Sequence, residues 1–177
     1  MNMVKVKLRA IEPEDLDMLY RIENDTRLWG VGSTNVPYSR YALHDYIANA
    51  SSDIYTDRQV RLIVENEPDN SPDGAIHTLG IADLVSFDPR HRRAEVGIVI
   101  ASPHRRQGYA LATLLSLQDY ACRVLSLHQL YAVVGADNSA ALSLFIKAGY
   151  LQVATLPQWL CSGNTYVDAA LLQKILV

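Results

Sequence analysis

Residues 98–110 read Ile98-Val99-Ile100-Ala101-Ser102-Pro103-His104-Arg105-Arg106-Gln107-Gly108-Tyr109-Ala110. An apolar strand ends here, a short polar turn follows, and a glycine opens a helix. Just upstream, Val96 to Ile100 is continuously apolar, which suits a central strand covered on both faces. Downstream, Leu111, Leu114, Leu115, Ala121, Cys122 and Leu125 keep helical spacing. The first N–H groups of a helix have no carbonyl within it to bond, and they lie at the positive end of its dipole. Such an end is a ready site for a pyrophosphate. Gly108 lets a ligand approach the backbone, Ala110 keeps the next turn small, and Arg105 and Arg106 add positive charge. The same residues also read as a plain helix start with a solvated arginine face. The patterns G-x-x-x-x-G-K-[ST] and G-x-G-x-x-G are both missing, which removes a P-loop nucleotidase and weakens dinucleotide binding.

Working outward, the segments on either side alternate in type. Val4 to Arg9 alternates Val or Leu with Lys or Arg, the pattern of a half-buried strand. Pro13 opens a helix with Glu14, Asp15 and Asp17 in its first turn and Leu16, Leu19, Tyr20 and Glu23 along one side. It should fade before a loop holding Trp29, Gly30, Gly32 and Pro37. Ser39 can cap a second helix with Leu43, Tyr46, Ile47 and Ala50 on its apolar side. Strands are expected over 58–65, 76–87 and 94–101, with the turn-rich residues 66–74 closing a hairpin. After the long helix come a β-rich run over 130–134 and a helix capped by Asp137 or Asn138. That helix carries Ala141, Leu144, Phe145 and Ala148, with Gly149 as its C′ residue. Strands over 151–155 and 165–172 close the chain. Two early helices, a meander and two crossovers make an α/β or α+β domain with a mixed, mostly antiparallel sheet flanked by helices.

Composition narrows the function. The chain has 177 residues, 49% hydrophobic and 20% charged, which argues for one domain with a core that needs no disulfide or metal staple. Sixteen Lys+Arg against nineteen Asp+Glu leaves a net charge of −3, so nucleic acid is not an expected partner. No apolar run reaches the roughly 18 residues of a membrane span, and no signal peptide is recognisable, so no membrane partner and a cytoplasmic location are expected. Neither Cys122 nor Cys161 sits in a Cys-x-x-Cys pair; Cys122 reads as core. His44, His77, His91, His104 and His128 form no ligand-like spacing, so no metal is expected. The apolar C-terminus, 171–177, suits a sheet edge or a subunit contact, which makes a homodimer plausible.

Arg105-x-x-Gly108-x-Ala110 resembles the (Q/R)-x-x-G-x-(G/A) acetyl-CoA signature of the GCN5-related N-acetyltransferases. Asp137 to Tyr150 resembles that family's N-x-x-A helix followed by a GF-type turn. Leu8-Arg9-Ala10 before an acidic helix start, and Ala94-Glu95-Val96-Gly97, resemble its RimJ/RimL and spermidine acetyltransferase branch. The resemblance covers nearly the whole chain and implies one N-acetyltransferase-like domain over 1–177 with a splayed fourth strand. It implies acetyl-CoA as co-substrate, with Ile98, Val99 and Ile100 along the pantetheine arm. Arg105 and the amides of Arg106, Gln107, Gly108, Tyr109 and Ala110 would hold the pyrophosphate. Asn138 would bond the cofactor near the pantetheine, although it reads equally well as a helix N-cap. The implied reaction is direct acetyl transfer to a primary amine of a small molecule such as the polyamine spermidine. Acetylation of a protein N-terminus of ribosomal type, or non-catalytic binding of acyl-CoA, are the alternatives.

Such a transfer needs a neutral amine, a held oxyanion and a stabilised leaving thiolate. A backbone N–H near Val99 or Ile100 is the candidate for the oxyanion. Glu95 is the candidate general base or amine orienter. Asp25, Trp29 and Tyr38 fall where the family lines its acceptor site, and Asp83 is a candidate for binding a cationic acceptor. Glu23, Asp25, Asp83 and Glu95 would have to converge to receive a polyamine. One departure stands out: Phe145 occupies the position of the family's usual tyrosine acid and has no proton to give.

Overall fold

A computed structural model describes residues 4–29, 36–51, 53–71 and 73–176. The loop residues Gly30 and Gly32, and the terminal Val177, lie outside the described residues. Seven strands form one sheet in the order β1-β2-β3-β4-β5-β7-β6. They are β1 (Val6–Ala10), β2 (Val60–Asn66), β3 (Thr78–Asp88), β4 (Arg93–Ile100), β5 (Gln129–Gly135), β6 (Leu151–Ser162) and β7 (Thr165–Ile175). The helices are α1 (Leu16–Glu23), α2 (Arg40–Ala48), α3 (Ile54–Asp57), α4 (Tyr109–Arg123) and α5 (Ser139–Lys147). All neighbouring pairs run antiparallel except β4 and β5, which α4 joins as a parallel crossover.

Pairing register divides the sheet into two faces. Leu62, Ala82, Leu84, Ala94, Val96, Ile100, Leu130 and Ala132 point to one face and join Leu114, Leu117, Ala121 and Phe145 in the main core. α4 packs across β1, β3 and β4 there, and α5 packs on α4. On the opposite face Ile63 and Ile81 are buried beneath α1 and α2, with Leu19 and Leu43. The second face also carries charge. Arg61 of β2 reaches Glu23 of α1 at 2.5 Å and Asp83 of β3 at 2.8 and 3.0 Å, and its guanidinium lies over the Tyr46 ring of α2.

Several expectations are corrected. Pro13 opens a 3-10 turn, Pro13–Asp15, and α1 starts one residue later. Asp15 accepts the Glu12 N–H in a reciprocal capping box and two hydrogen bonds from Arg9, at 2.6 and 2.8 Å. The first residues of the 58–65 segment are not strand: Asp53 caps the short α3, and Arg58, left-handed at φ 56°, ends it. Ser39 does cap α2, by accepting from the Ala42 N–H, and Asn138 rather than Asp137 caps α5. Cys122 is only half-buried. The apolar C-terminus is not a sheet edge, because β7 is paired on both sides and β6 forms the edge. β6 runs far beyond residue 155; Pro157 and Gln158 break the sequence pattern, and the ladder absorbs them as an irregularity between Leu156 and Leu160.

A second irregularity matters more. Val85 faces Glu95, but the next aligned pair is Asp88 with Arg93, so β3 carries one extra residue. Ser86 takes a left-handed φ of 52° at this bulge. A non-glycine residue there costs roughly 1–2 kcal/mol, and bulges re-aim side chains beside functional sites. The extra residue keeps both Leu84 and Phe87 in the core.

Candidate active site

β4 has two unlike edges. Against β3 it is aligned at both ends, from Arg93 to Ile100. Against β5 it is aligned over only Arg93, Ala94 and Glu95, opposite Gln129, Leu130 and Tyr131. Beyond Glu95 the strands part, leaving a gap beside Val96 to Ile100. Gly97, Ile98 and Val99 are accordingly half-buried, not sealed on both faces as their apolar run suggested.

Backbone direction alternates along a strand, which fixes what the gap receives. The Ala101 N–H donates to Leu79 of the β3 side at 2.8 Å, while the Arg92 carbonyl accepts from His128 on the β5 side at 2.7 Å. Odd-numbered residues of β4 therefore bond toward β3, and even-numbered ones face the gap. The N–H and C=O of Ile98 and the N–H of Ile100 face it. The Ile100 carbonyl accepts from Arg105 Nε at 2.8 Å, which ties the end of β4 to the turn. Val99 directs its carbonyl against Gly80, where a Cβ would lie 2.0 Å from that oxygen. Of the two expected oxyanion donors only Ile100 faces the gap; Ile98 joins it.

At the open end of the gap stands the start of α4. A 3-10 turn, Ser102–His104, leads into it, and Gln107 Nε2 donates to the Pro103 carbonyl at 3.0 Å. Arg106 at φ 61° and Gly108 at φ 88° are both left-handed. α4 has no side-chain cap and no acidic residue in its first turn. A backbone curled this way with bare N–H groups is an anion cradle. A side chain at Gly108 would be strained by its φ and would press Val4 at 3.3 Å. Tyr109 is buried and belongs to the core. These residues fit the pyrophosphate and pantetheine of a CoA thioester: a strand edge for the amide-bearing arm, then a helix start for the phosphates. Asn138, at the head of α5, spends its Oδ1 on the Ala141 N–H at 3.1 Å, leaving its amide NH2 as the end that can meet a ligand.

Glu95 occupies the closed end of the gap, directly opposite Tyr131. It is half-buried, and desolvation raises its carboxyl above the ordinary range, while hydrogen bonds from Ser86 and Tyr131 oppose that rise. Burial, and then the Glu95 charge, raise the Tyr131 phenol, so it is protonated at neutral pH. Ser86 and Tyr131 escape sequence reasoning. Only the bulge brings Ser86 to this point, and only the β4–β5 register brings Tyr131.

The other acids do not form an open cluster. Glu23 and Asp83 converge, but on Arg61 between them. Burial works against the Arg61 charge, and Asp83 and Glu23 more than offset it. Asp25 is clamped by Arg27 at 2.8 and 2.7 Å, which pulls its carboxyl down to about 2. It lines a cleft of about 500 Å³ between α1 and the β4–α4 turn, together with Arg21, Arg27, Val99 and Arg105. Trp29 donates from Nε1 to the Glu23 carbonyl at 2.9 Å, holding the chain after α1. Asn24 bonds both backbone groups of Tyr38 at 2.8 and 3.1 Å and so ties the start of α2 to the end of α1. Phe145 is 4% exposed, edge-to-face with Tyr150 at 4.9 Å between ring centroids.

A parallel strand pair that parts beyond a half-buried glutamate, with a helix start at its open end, fits an acyl-CoA-dependent N-acyltransferase. The family profile of the acetyltransferase (GNAT) domain matches residues 5–151, and the chain belongs to that family. It is an N-acetyltransferase that takes acetyl-CoA as co-substrate. A spermidine N(1)-acetyltransferase of Vibrio cholerae is 25% identical over 164 residues, 93% of this chain and 89% of that protein. The Escherichia coli K12 spermidine N(1)-acetyltransferase is 29% identical over 149 residues, 82% and 72% of the two chains. The crystal structure of the Vibrio cholerae spermidine N-acetyltransferase in complex with CoA and spermine superposes with a TM-score of 0.82 at 24% identity. It covers 97% of this chain and 96% of that one.

Proposed function

We propose that this chain acetylates a primary amine of a small polyamine such as spermidine, with Glu95 accepting the proton that the acceptor's ammonium must lose. The observation that carries this reading is the place of Glu95, at the closed end of the gap and on the face covered by α1 and α2. Bound acetyl-CoA supplies an acetyl group already activated as a thioester. The even-numbered β4 amides would orient its arm, with Arg105, Arg106 and the amides through Ala110 at the phosphates. The N–H groups of Ile98 and Ile100 are the donors that can face developing negative charge on the acyl oxygen. Glu95, with its carboxyl raised by burial, is closer to the useful range for a base than a solvated glutamate. Phe145 supplies no proton, and a thiol of pKa about 8.5 is a leaving group that needs little help.

The polyamine acceptor is supported by the two spermidine acetyltransferase relatives. A second reading, acetylation of a protein N-terminus followed by acidic side chains, draws on the cleft beside α1, where Arg21, Arg27 and Arg105 outnumber Asp25. Thiol release measured with spermidine, spermine and an acidic N-terminal peptide separates them. Turnover of spermidine but not of the peptide supports the first reading; the reverse overturns it. We also propose self-association through the edge strand β6 and its hairpin, where Leu151, Val153, Trp159 and Tyr166 are at least half exposed. We propose a cytoplasmic location, where a thiol such as that of the exposed Cys161 stays reduced. No helix among the described residues is long and apolar enough to cross a membrane.

A further inference from the structure

We propose that Ser86 and Tyr131 are positioning residues that hold the Glu95 carboxylate at the closed end of the β4–β5 gap, oriented toward the acceptor amine. This rests on the reading of Glu95 as the base. Two features of the backbone, the end of the β4–β5 pairing and the bulge in β3, converge on that carboxylate. The parallel register ends at Glu95 and Tyr131, so these two are the last facing pair before the strands part. The bulge in β3 falls opposite the same point, between the pairs Val85–Glu95 and Asp88–Arg93. The bulge residue is Ser86, held left-handed, where an uninterrupted strand would have turned its side chain to the α4 face. Placed there, Ser86 joins Tyr131 in pulling the Glu95 carboxyl down against the rise that burial imposes. A strained, non-glycine residue that delivers a hydroxyl to a half-buried carboxylate is what a positioning device requires.

The chemistry asked of the cluster is a single proton movement. The acceptor's ammonium gives one proton to the Glu95 carboxylate, leaving a neutral amine whose lone pair forms the new N–C bond as the C–S bond breaks. The second proton, lost by the acylated nitrogen, ends on the departing CoA thiolate by way of water. The proton on Glu95 later passes to water. Two O–H donors keep the carboxylate ionised in a desolvated place and fix its direction. The charged neighbours are Asp88 and Arg93, which pair with each other at 3.3 Å across the bulge.

Tyr131→Phe and Ser86→Ala each remove one donor and leave the desolvation in place. The acid limb of the kcat/KM profile should then move to higher pH in both variants, at least as far for Ser86→Ala as for Tyr131→Phe. The ligand-free protein gives a second readout. The Glu95 side-chain carboxyl, followed by 13C NMR, should titrate at a higher pH in both variants, with thermal unfolding confirming that each folds. Glu95→Gln is the control for the underlying reading. If it retains the acid limb and the rate, Glu95 is not the base and both readings fall. If Glu95→Gln loses activity while Tyr131→Phe and Ser86→Ala leave the limb and the carboxyl titration unmoved, Glu95 stands and the positioning proposal is overturned.

Discussion

The two edges of β4 are the same residues put to opposite uses. Toward β3 the strand is closed: its alignment runs from residue 93 to 100, and Gly80 lets the Val99 carbonyl press close. Toward β5 it holds for three residues and then opens. One edge gives the strand its place in the sheet, and the other leaves its polar backbone for a ligand. A fully paired β4 would add ladder hydrogen bonds and remove the site. The unmet hydrogen bonds are a local loss of stability that the closed edge and the core beneath offset.

Four substitutions break or sharpen that contrast. At the closed end of the gap, Glu95→Gln should lower kcat/KM by about 10²–10⁴, the usual worth of a positioned acid or base, with acetyl-CoA affinity unchanged by calorimetry. In the wild type the acid limb of kcat/KM should lie above the ordinary glutamate range. The carboxyl is raised, so the base form is lost sooner as pH falls. At the open end, Gly108→Trp should weaken acetyl-CoA binding at least tenfold, about 1.4 kcal/mol, with spermidine turnover recoverable only at high cofactor concentration. On the closed edge, Gly80→Ala puts a Cβ against a carbonyl and should cost about 1–3 kcal/mol of stability in urea unfolding. The smallest effect belongs to Tyr150→Phe. The Tyr150 hydroxyl is buried, with Gln118 the one side chain that opposes the rise burial gives it, so its removal should leave kcat intact and change stability by no more than about 1 kcal/mol. Loss of kcat in that variant would instead make Tyr150 a displaced substitute for the acid that Phe145 lacks.

Much of this was legible in the chain. Val96 to Ile100 followed by a turn and Gly108 is a local pattern, and the strand, the turn and the helix stand where it puts them. Ser39 and Asn138 are caps because capping is a contact over three residues. What escaped depends on register. The pairing that places Tyr131 across from Glu95 joins residues far apart in sequence, and no local signal carries it. The left-handed Ser86 escaped because its backbone conformation belongs to the bulge, which exists only in the pairing of β3 with β4. Charge misled in a similar way. Glu23 and Asp83 count as acids in the sequence, but Arg61 pairs with both once α1, β2 and β3 are assembled, and Asp25 is held by Arg27 two residues on.

The open edge itself is best tested by residue-resolved amide exchange with and without acetyl-CoA. The amides of Ile98 and Ile100 and those from Arg106 to Ala110 should slow on binding, while that of Val99, already turned toward β3, should change little. Protection that avoids the even-numbered β4 amides and falls instead within the cleft beside α1 would contradict the account.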